Sequence, residues 1–222
     1  MGQRDSESDL QFAVQNNKIP EYFLGIEERL SGIQIKTKEN INPEKKYLGG
    51  GTDLYVQQHD TMPYEKISFL FDRKELKGIN KSSNICEMGA GATVTDIAES
   101  PVFMDHFPNL KKYIRLISST QIRNMATAGG NFTNASPIGD LTIFFLALNA
   151  QLTLSNGTEK RNIPLRSFYK GYKILDKLPD EIIEKISFDL PAKEGLFNFE
   201  KVSKRTCLDI ASVNSALHLV MN

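Results

Sequence analysis

The sequence predicts a soluble protein of the α/β class, and three observations carry that prediction. With 222 residues, 40% of them hydrophobic, the chain can bury one large core or two smaller ones. Strand-like and helix-like segments alternate along it, which points to a layered fold. An Asn156-Gly157 turn between QLTL and a short extended stretch marks a β-hairpin in the second half.

Taken in order, the first nine residues are charged and small and are expected to fray, so residues 1–18 read as a flexible lead-in. After Pro20, the apolar residues Phe23, Ile26 and Leu30 recur at helical spacing, predicting a short helix that ends near Gly32. Ile33 and Ile35 alternate with polar neighbours as in a strand. The run KKYL ending at Leu48 reads as a strand, Gly49 to Gly51 as a turn, and Thr52 to Gln58 as a helix. Strands are expected around Ile67 to Leu70, near Ile79, and at Ile85 to Gly89, with the turn-forming NKSSN between the last two. Leu110, Ile114 and Ile117 share a helical face, and a second helix is expected from Asp140 to Leu148, just after Pro137. Between these helices about twenty polar and small residues follow one another, which is long for a connection and typical of a loop folded around a ligand. Pro101 and Pro108 bracket an aromatic stretch and place a boundary between a lobe of residues 19–100 and one of residues 101–195.

Charge and cysteine content exclude several classes. Lys plus Arg and Asp plus Glu each number 27, so nothing favours a nucleic acid or an acidic membrane as partner. The two cysteines, Cys86 and Cys207, stand far apart and cannot by themselves hold zinc or an iron–sulfur cluster. Free thiols, a polar N-terminus and the lack of any run of about 18 apolar residues predict a cytoplasmic protein without a membrane span.

The loop Gly49, Gly50, Gly51, Thr52, Asp53 falls where a strand passes into a helix. Glycines let the backbone turn tightly and bring its N–H groups against a ligand, so the loop suits a pyrophosphate. It is equally readable as a tight turn with Thr52 or Asp53 capping the helix. It is neither a nucleoside-triphosphate P-loop nor the G-x-G-x-x-G fingerprint, and GAGAT at Gly89 to Thr93 holds only half of the latter and reads as a structural turn. In the long polar stretch, Thr127, Gly129, Gly130 and Asn131 are candidate donors to phosphate oxygens, and Asp140 a candidate acceptor from a ribose or ribityl hydroxyl.

The strings QIRN, TAGGN and NASPIGDL within residues 118–152, together with YLGGGTDL upstream, resemble the FAD-binding domain of molybdopterin dehydrogenases, the family of xanthine dehydrogenases, aldehyde oxidoreductases and carbon monoxide dehydrogenase medium subunits. FEKVSKRTCLDIASVNSAL is similar to the strand and loop entering that family's C-terminal domain, and PEYFLGIEERL to the lead-in of bacterial small subunits. The resemblance covers roughly residues 19 to 217. It implies a two-lobed α/β (α+β) FAD-binding fold of the vanillyl-alcohol oxidase or PCMH type. Residues 196–222 would then open a C-terminal domain that the chain carries only in part, as a truncated gene product would.

The resemblance further implies that Leu48 to Asp53 and Thr127, Ala128, Gly129, Gly130 and Asn131 clasp the FAD pyrophosphate from two sides. Asp140 would contact the adenosine or ribityl portion, Ile117 would lie against the adenine or flavin ring, and Lys201 would approach the isoalloxazine end. Lys201 and its neighbour Lys204 are as well explained as a solvated strand end, and Arg123 as a residue pairing with a carboxylate to hold the loop. His59, His106 and His218 match no motif and read as solvated or core residues. Neither glycine loop holds His or Cys, so FAD is expected to be dissociable. In the family, a molybdenum subunit oxidises the substrate and iron–sulfur clusters pass electrons to FAD and on to NAD or another acceptor. Molybdopterin and 2Fe–2S clusters are therefore expected on partner chains or segments, and no catalytic side chain or metal ligand is assigned here. A stand-alone flavoprotein oxidase and a non-catalytic interaction module are the rival readings.

Overall fold

A computed structural model describes residues 6–33, 41–42, 44–192 and 195–220. The chain divides into two compact units, Met1–Lys36 and Thr37–Asn222. In the first unit α1 spans Ser6–Gln15, so a helix occupies part of the segment expected to fray. The helix expected after Pro20 is split at Gly25, whose φ of 77° breaks the α conformation, into a single turn at Glu21–Phe23 and α2, Ile26–Ser31. Gly32 ends α2. Ile33 lies in no regular element, and Ile35 lies outside the described residues.

The second unit opens with β1 (Lys46–Leu48), a four-residue helix α3 (Leu54–Gln57) and β2 (Ile67–Phe69). β1 and β2 pair in parallel as a small sheet of their own. There follow β3 (Ile79–Ser82) and β4 (Ile85–Gly89), joined through Ser83 in the left-handed conformation. Six helices come next: α4 (Val94–Glu99), α5 (Pro101–His106), α6 (Leu110–Leu116), α7 (Thr120–Met125), α8 (Ala128–Asn134) and α9 (Asp140–Ala147). The polar stretch read as one long loop therefore contains α7 and α8. Its small residues lack the apolar periodicity that reveals a helix, but capping hydroxyls start both: Ser119 accepts from Ile122 N–H and Thr127 from Gly130 N–H.

The remaining elements are β5 (Gln151–Ser155), β6 (Lys160–Pro164), α10 (Leu165–Phe168), β7 (Tyr169–Gly171), β8 (Ile174–Leu175), β9 (Ile182–Asp189), β10 (Leu196–Val202) and β11 (Val213–Leu219). The Asn-Gly turn forms as expected: Gly157 has φ 94° and the Asn156 side chain accepts from the amides of Thr158 and Glu159. A five-stranded antiparallel sheet runs in the order β3-β4-β9-β5-β6. It takes strands from both sides of residues 100–108. β7 and β8 pair separately, as do β10 and β11.

The core gathers on the central strand. Ile186 of β9 faces Met88 of β4 and Leu152 of β5 in register, and all three are buried. Helices α5, α8 and α9 add a cluster of rings around Phe145, which lies 6.2 Å from Phe103, 5.6 Å from Phe132 and 5.5 Å from Phe188 between ring centroids. Edge-to-face packing of this kind adds to the area each ring buries. The β10–β11 hairpin turns Phe199 fully inward and leaves Leu196, Val202, Val213, Leu217 and Leu219 exposed.

An ionic network braces the edge of the sheet. Arg161 on β6 forks onto Glu181 at 2.7 and 2.8 Å and reaches Asp176 at 3.1 Å, and Lys170 pairs with Asp176 at 3.0 Å. Glu181 is 5% exposed, and the Arg161 hydrogen bonds hold its carboxyl below the ordinary value of 4.5. Two outcomes follow from this architecture. Phe145→Ala should cost about 3–5 kcal/mol in urea denaturation, because it empties the ring cluster. Glu181→Gln should lower the urea midpoint at neutral pH. A carboxyl with a depressed folded pKa stabilises above its unfolded value and ceases to as pH falls through the folded one. The gap to wild type should therefore narrow below the ordinary value of 4.5.

Candidate functional site

The first glycine loop leaves β1 at Leu48, which is buried and whose carbonyl accepts from Leu70 N–H at 2.8 Å. Pinned there, the chain turns through Gly51 at φ 71° and enters α3. Asp53 occupies the helix N-cap position, but its side chain makes no capping bond and accepts instead from Gln57 at 2.7 Å. Among the described residues, the backbone N–H groups of Gly49 to Asp53 have no acceptor within the protein. Successive unpaired amides in a turn form a concavity that takes up anionic oxygens.

The second loop is built differently. Ala128 N–H donates to Ala92 O at 2.9 Å and Gly129 N–H to Ala90 O at 2.8 Å, so the strip Ala90 to Thr93 binds it alongside in the manner of a strand. Gly130 N–H donates to Thr127 Oγ1 and Asn131 N–H to Thr127 O. These amides, expected as phosphate donors, are already spent within the fold. What this side offers the space in front of it is the Thr127 hydroxyl, the bare backbone of Gly130 and the amide nitrogen of Asn131, whose oxygen accepts from Thr142. GAGAT, read from the sequence as a structural turn, supplies the Ala90 to Thr93 strip, and its Ala90 and Gly91 also line a cavity.

The two loops meet backbone to backbone. A Cβ on Gly50 would stand 1.6 Å from the Met125 carbonyl oxygen, and one on Gly49 would stand 2.8 Å from Thr127 Oγ1. No side chain fits at Gly50 without driving the loops apart. In front of the junction lies a cleft of about 660 Å³ lined by Gly49 to Leu54 on one side and by Thr127, Gly130 and Asn131 on the other. A second cavity of about 230 Å³ shares Tyr47, Gly49, Thr127, Gly130 and Thr133 with it. Leu70, Leu76, Ala90, Ile182 and Ile183 make the second cavity largely apolar, with Lys177 and Glu181 also on its wall.

Charges in these walls are mostly held by neutral groups. Lys173 donates to the carbonyl and side-chain oxygens of Asn134, and Lys177 to the carbonyls of Leu178 and Glu181. Burial pushes the Lys177 ammonium below its ordinary pKa. Lys46 is neutralised by Glu65 at 2.8 Å. Tyr47 accepts from Asn42 N–H at 2.6 Å, and burial raises its phenol.

Three expected site residues lie elsewhere. Asp140 and Lys201 pair with each other at 2.7 Å, their side chains 14% and 4% exposed. Lys201 also donates to Leu116 O and Asn214 to Asp140. Ile117 is buried in the core beside that group, and none of the three lines either cavity. Lys204 is exposed. The carboxylate partner expected for Arg123 is not found among the described residues; the guanidinium holds the loop through the carbonyls of Ile117 and Ser118 and the hydroxyl of Thr120. His59 is exposed beside Asp60, His106 contacts Lys81 and Pro191 O, and His218 sits on β11 near the Phe197 ring. Among the described residues no group of three or more His, Cys, Asp or Glu could hold a metal ion. Sequence reasoning missed Tyr47, Lys173, Lys177, Ile182 and Ile183. Only Tyr47, two residues before the first glycine, carried a signal that could have found it.

Comparison with known proteins places this geometry. A model of the FAD-binding domain in molybdopterin dehydrogenases matches residues 32–191. The chain is 32% identical over 181 residues to a putative xanthine dehydrogenase FAD-binding subunit of Escherichia coli, covering 80% of this chain and 62% of that protein. It is 31% identical over 176 residues to a nicotinate dehydrogenase FAD-subunit of Eubacterium barkeri, covering 77% and 59%. To xanthine dehydrogenase of Emericella nidulans it is 30% identical over 200 residues, 85% of this chain and 15% of that one. The chain thus spans less than two thirds of each of these relatives. Among solved structures, a Cu,Mo-CO dehydrogenase aligns with TM-score 0.70 at 25% identity, covering 82% of this chain and 64% of that one. Quinoline 2-oxidoreductase of Pseudomonas putida 86 aligns with TM-score 0.73 at 22% identity, covering 82% and 63%, and shares the fold. The matched segment takes in both glycine loops and the cleft between them, and the chain belongs to the family of FAD-binding domains in molybdopterin dehydrogenases.

Proposed function

We propose that this chain binds FAD non-covalently in the cleft between its two glycine loops, as the electron-transferring component of a molybdenum hydroxylase. The observation that carries the reading is the set of partnerless amides from Gly49 to Asp53 facing Thr127 and Gly130 across a cleft of about 660 Å³. That volume lies within the range of small-molecule and cofactor sites. The amides take the pyrophosphate oxygens, and Gly130 leaves them room on the opposite wall. The adjoining apolar cavity of about 230 Å³ suits a flat ring of the same dinucleotide. The approach of Ile117, Asp140 and Lys201 to the cofactor rests on the family resemblance. In this reading the Asp140–Lys201 pair holds the β10–β11 hairpin against α6 and α9 at the edge of the site.

FAD supplies the redox chemistry, and the chain binds and orients it. Electrons arrive from iron–sulfur clusters and leave to NAD or another acceptor, with clusters and molybdopterin on partner chains or segments, in the cytoplasm. The relatives named as FAD subunits support that division of labour. Thiol chemistry supports dissociable FAD: Cys86 is buried with its thiol pushed up to about 12, where it is no nucleophile, and Cys207 lies on the loop between β10 and β11.

Titration of FAD against the chain, followed by flavin fluorescence, tests the reading with Gly130→Asp as the variant. The new Cβ would stand 2.8 Å from the Thr127 hydroxyl, so that cap must shift as the carboxylate enters the cleft, and the melting temperature of the apo variant is measured beside its affinity to separate a lost fold from a lost site. Affinity should fall at least about tenfold. Equal affinity in both proteins would remove the site, and no saturable binding by wild type would remove FAD. After denaturation and filtration the fluorescence should pass through with the small molecules; retention on the polypeptide would overturn non-covalent binding.

A further inference from the structure

The guanidinium of Arg123 gives all its side-chain bonds to neutral oxygens: Ile117 O at 2.9 Å, Ser118 O at 2.7 Å and Thr120 Oγ1 at 2.9 Å. No acidic side chain pairs with it among the described residues. A half-buried arginine without a carboxylate is an unusual element, and its acceptors explain it. Ser118 is held in the left-handed conformation at φ 48°, which L residues avoid. It turns the chain from α6 into α7, and Arg123, on α7 itself, reaches back to fasten that turn.

The fastened segment borders the cleft on two sides. Ser118 and Ile122 line it, and α7 ends at Met125, whose carbonyl is the atom against which Gly50 packs. Just beyond it, Ala126 O accepts from Val94 N–H and Ala128 N–H donates to Ala92 O. A helix of six residues has little stability of its own, so its direction depends on what ties its ends. Near its far end Asn124 accepts from the Thr95 hydroxyl at 2.6 Å and Met125 meets Gly50; at its near end the ties are the Ser119 cap and the Arg123 guanidinium.

We infer that Arg123 is a positioning residue for the cofactor cleft: by clamping the Ile117–Ser118 carbonyls it fixes α7, and through Met125 it sets the spacing between the two glycine loops. The inference rests on the FAD reading for its ligand and on the geometry above for its mechanism. Lysine keeps the charge but cannot span the fork of acceptors, so the charge and the clamp are separable.

The test compares Arg123→Lys and Arg123→Ala with wild type in FAD affinity by fluorescence titration, in the melting temperature of the apo chain, and in amide hydrogen exchange. FAD dissociation constants should rise about tenfold in both variants, with faster exchange confined to residues 118–126. The five-stranded sheet should keep wild-type protection. A lysine variant binding FAD as wild type does would overturn the clamp, as would exchange that accelerates evenly across the sheet. If wild type binds and Arg123→Ala binds equally, this inference alone fails. If wild type binds no FAD, the cofactor reading fails and takes the inference with it.

Discussion

The approach of Gly50 to the Met125 carbonyl governs everything built around it. Two segments more than seventy residues apart touch through backbone atoms, with a space that would leave a Cβ 1.6 Å from oxygen. Such contact sets the width of the cleft in front of it and leaves no play for side-chain repacking. It also explains why the first loop keeps its amides unspent. A loop that binds its neighbour by shape needs no hydrogen bonds to do so, and those donors remain for something else. The second loop pays the opposite way, saturating its own amides to become a rigid wall.

The wall is rigid because of what stands behind it. The amides of Ala128 and Gly129 are bonded to the Ala90–Thr93 strip, which continues directly from β4. β4 pairs with β9 in the middle of the sheet, where Met88 and Ile186 meet. On the helical side, α8 contributes Phe132 to the ring cluster around Phe145. Cleft residues and core residues therefore alternate along the same short helix, and the core's packing is transmitted to the cleft within one turn.

Much of this was legible in the sequence. Strands β1, β2 and β4 were legible as short apolar segments, helix α9 as the longer apolar run after Pro137, and β5 with the 156–157 turn from its Asn-Gly pair. The two glycine loops were recognisable as a facing pair. What misled was the stretch from Ser118 to Asn134, whose helices are started by single hydroxyls and carry almost no apolar stripe, so that composition suggests a loop. The direction of the hydrogen bonds was equally hidden: no local pattern tells that Ala92 and Ala90 will consume the amides of Ala128 and Gly129. The pairing of Asp140 with Lys201 joins residues 61 positions apart, a distance over which sequence spacing carries no geometric information. Ile182 and Ile183 drew no expectation, because their place on a cavity wall is decided by what β9 packs against.

The bridge between Thr93 and Thr127 joins the supporting sheet to the cleft wall through main-chain bonds, and this couples occupancy to folding. A ligand seated in the cleft holds the second loop against the strip, and the strip is continuous with the sheet. By mass action, ligand at a hundred times its dissociation constant would raise the free energy of unfolding by about 2.7 kcal/mol. The loaded and empty forms would then differ in lifetime against heat and proteases, so that the supply of the small molecule sets how much of the polypeptide persists.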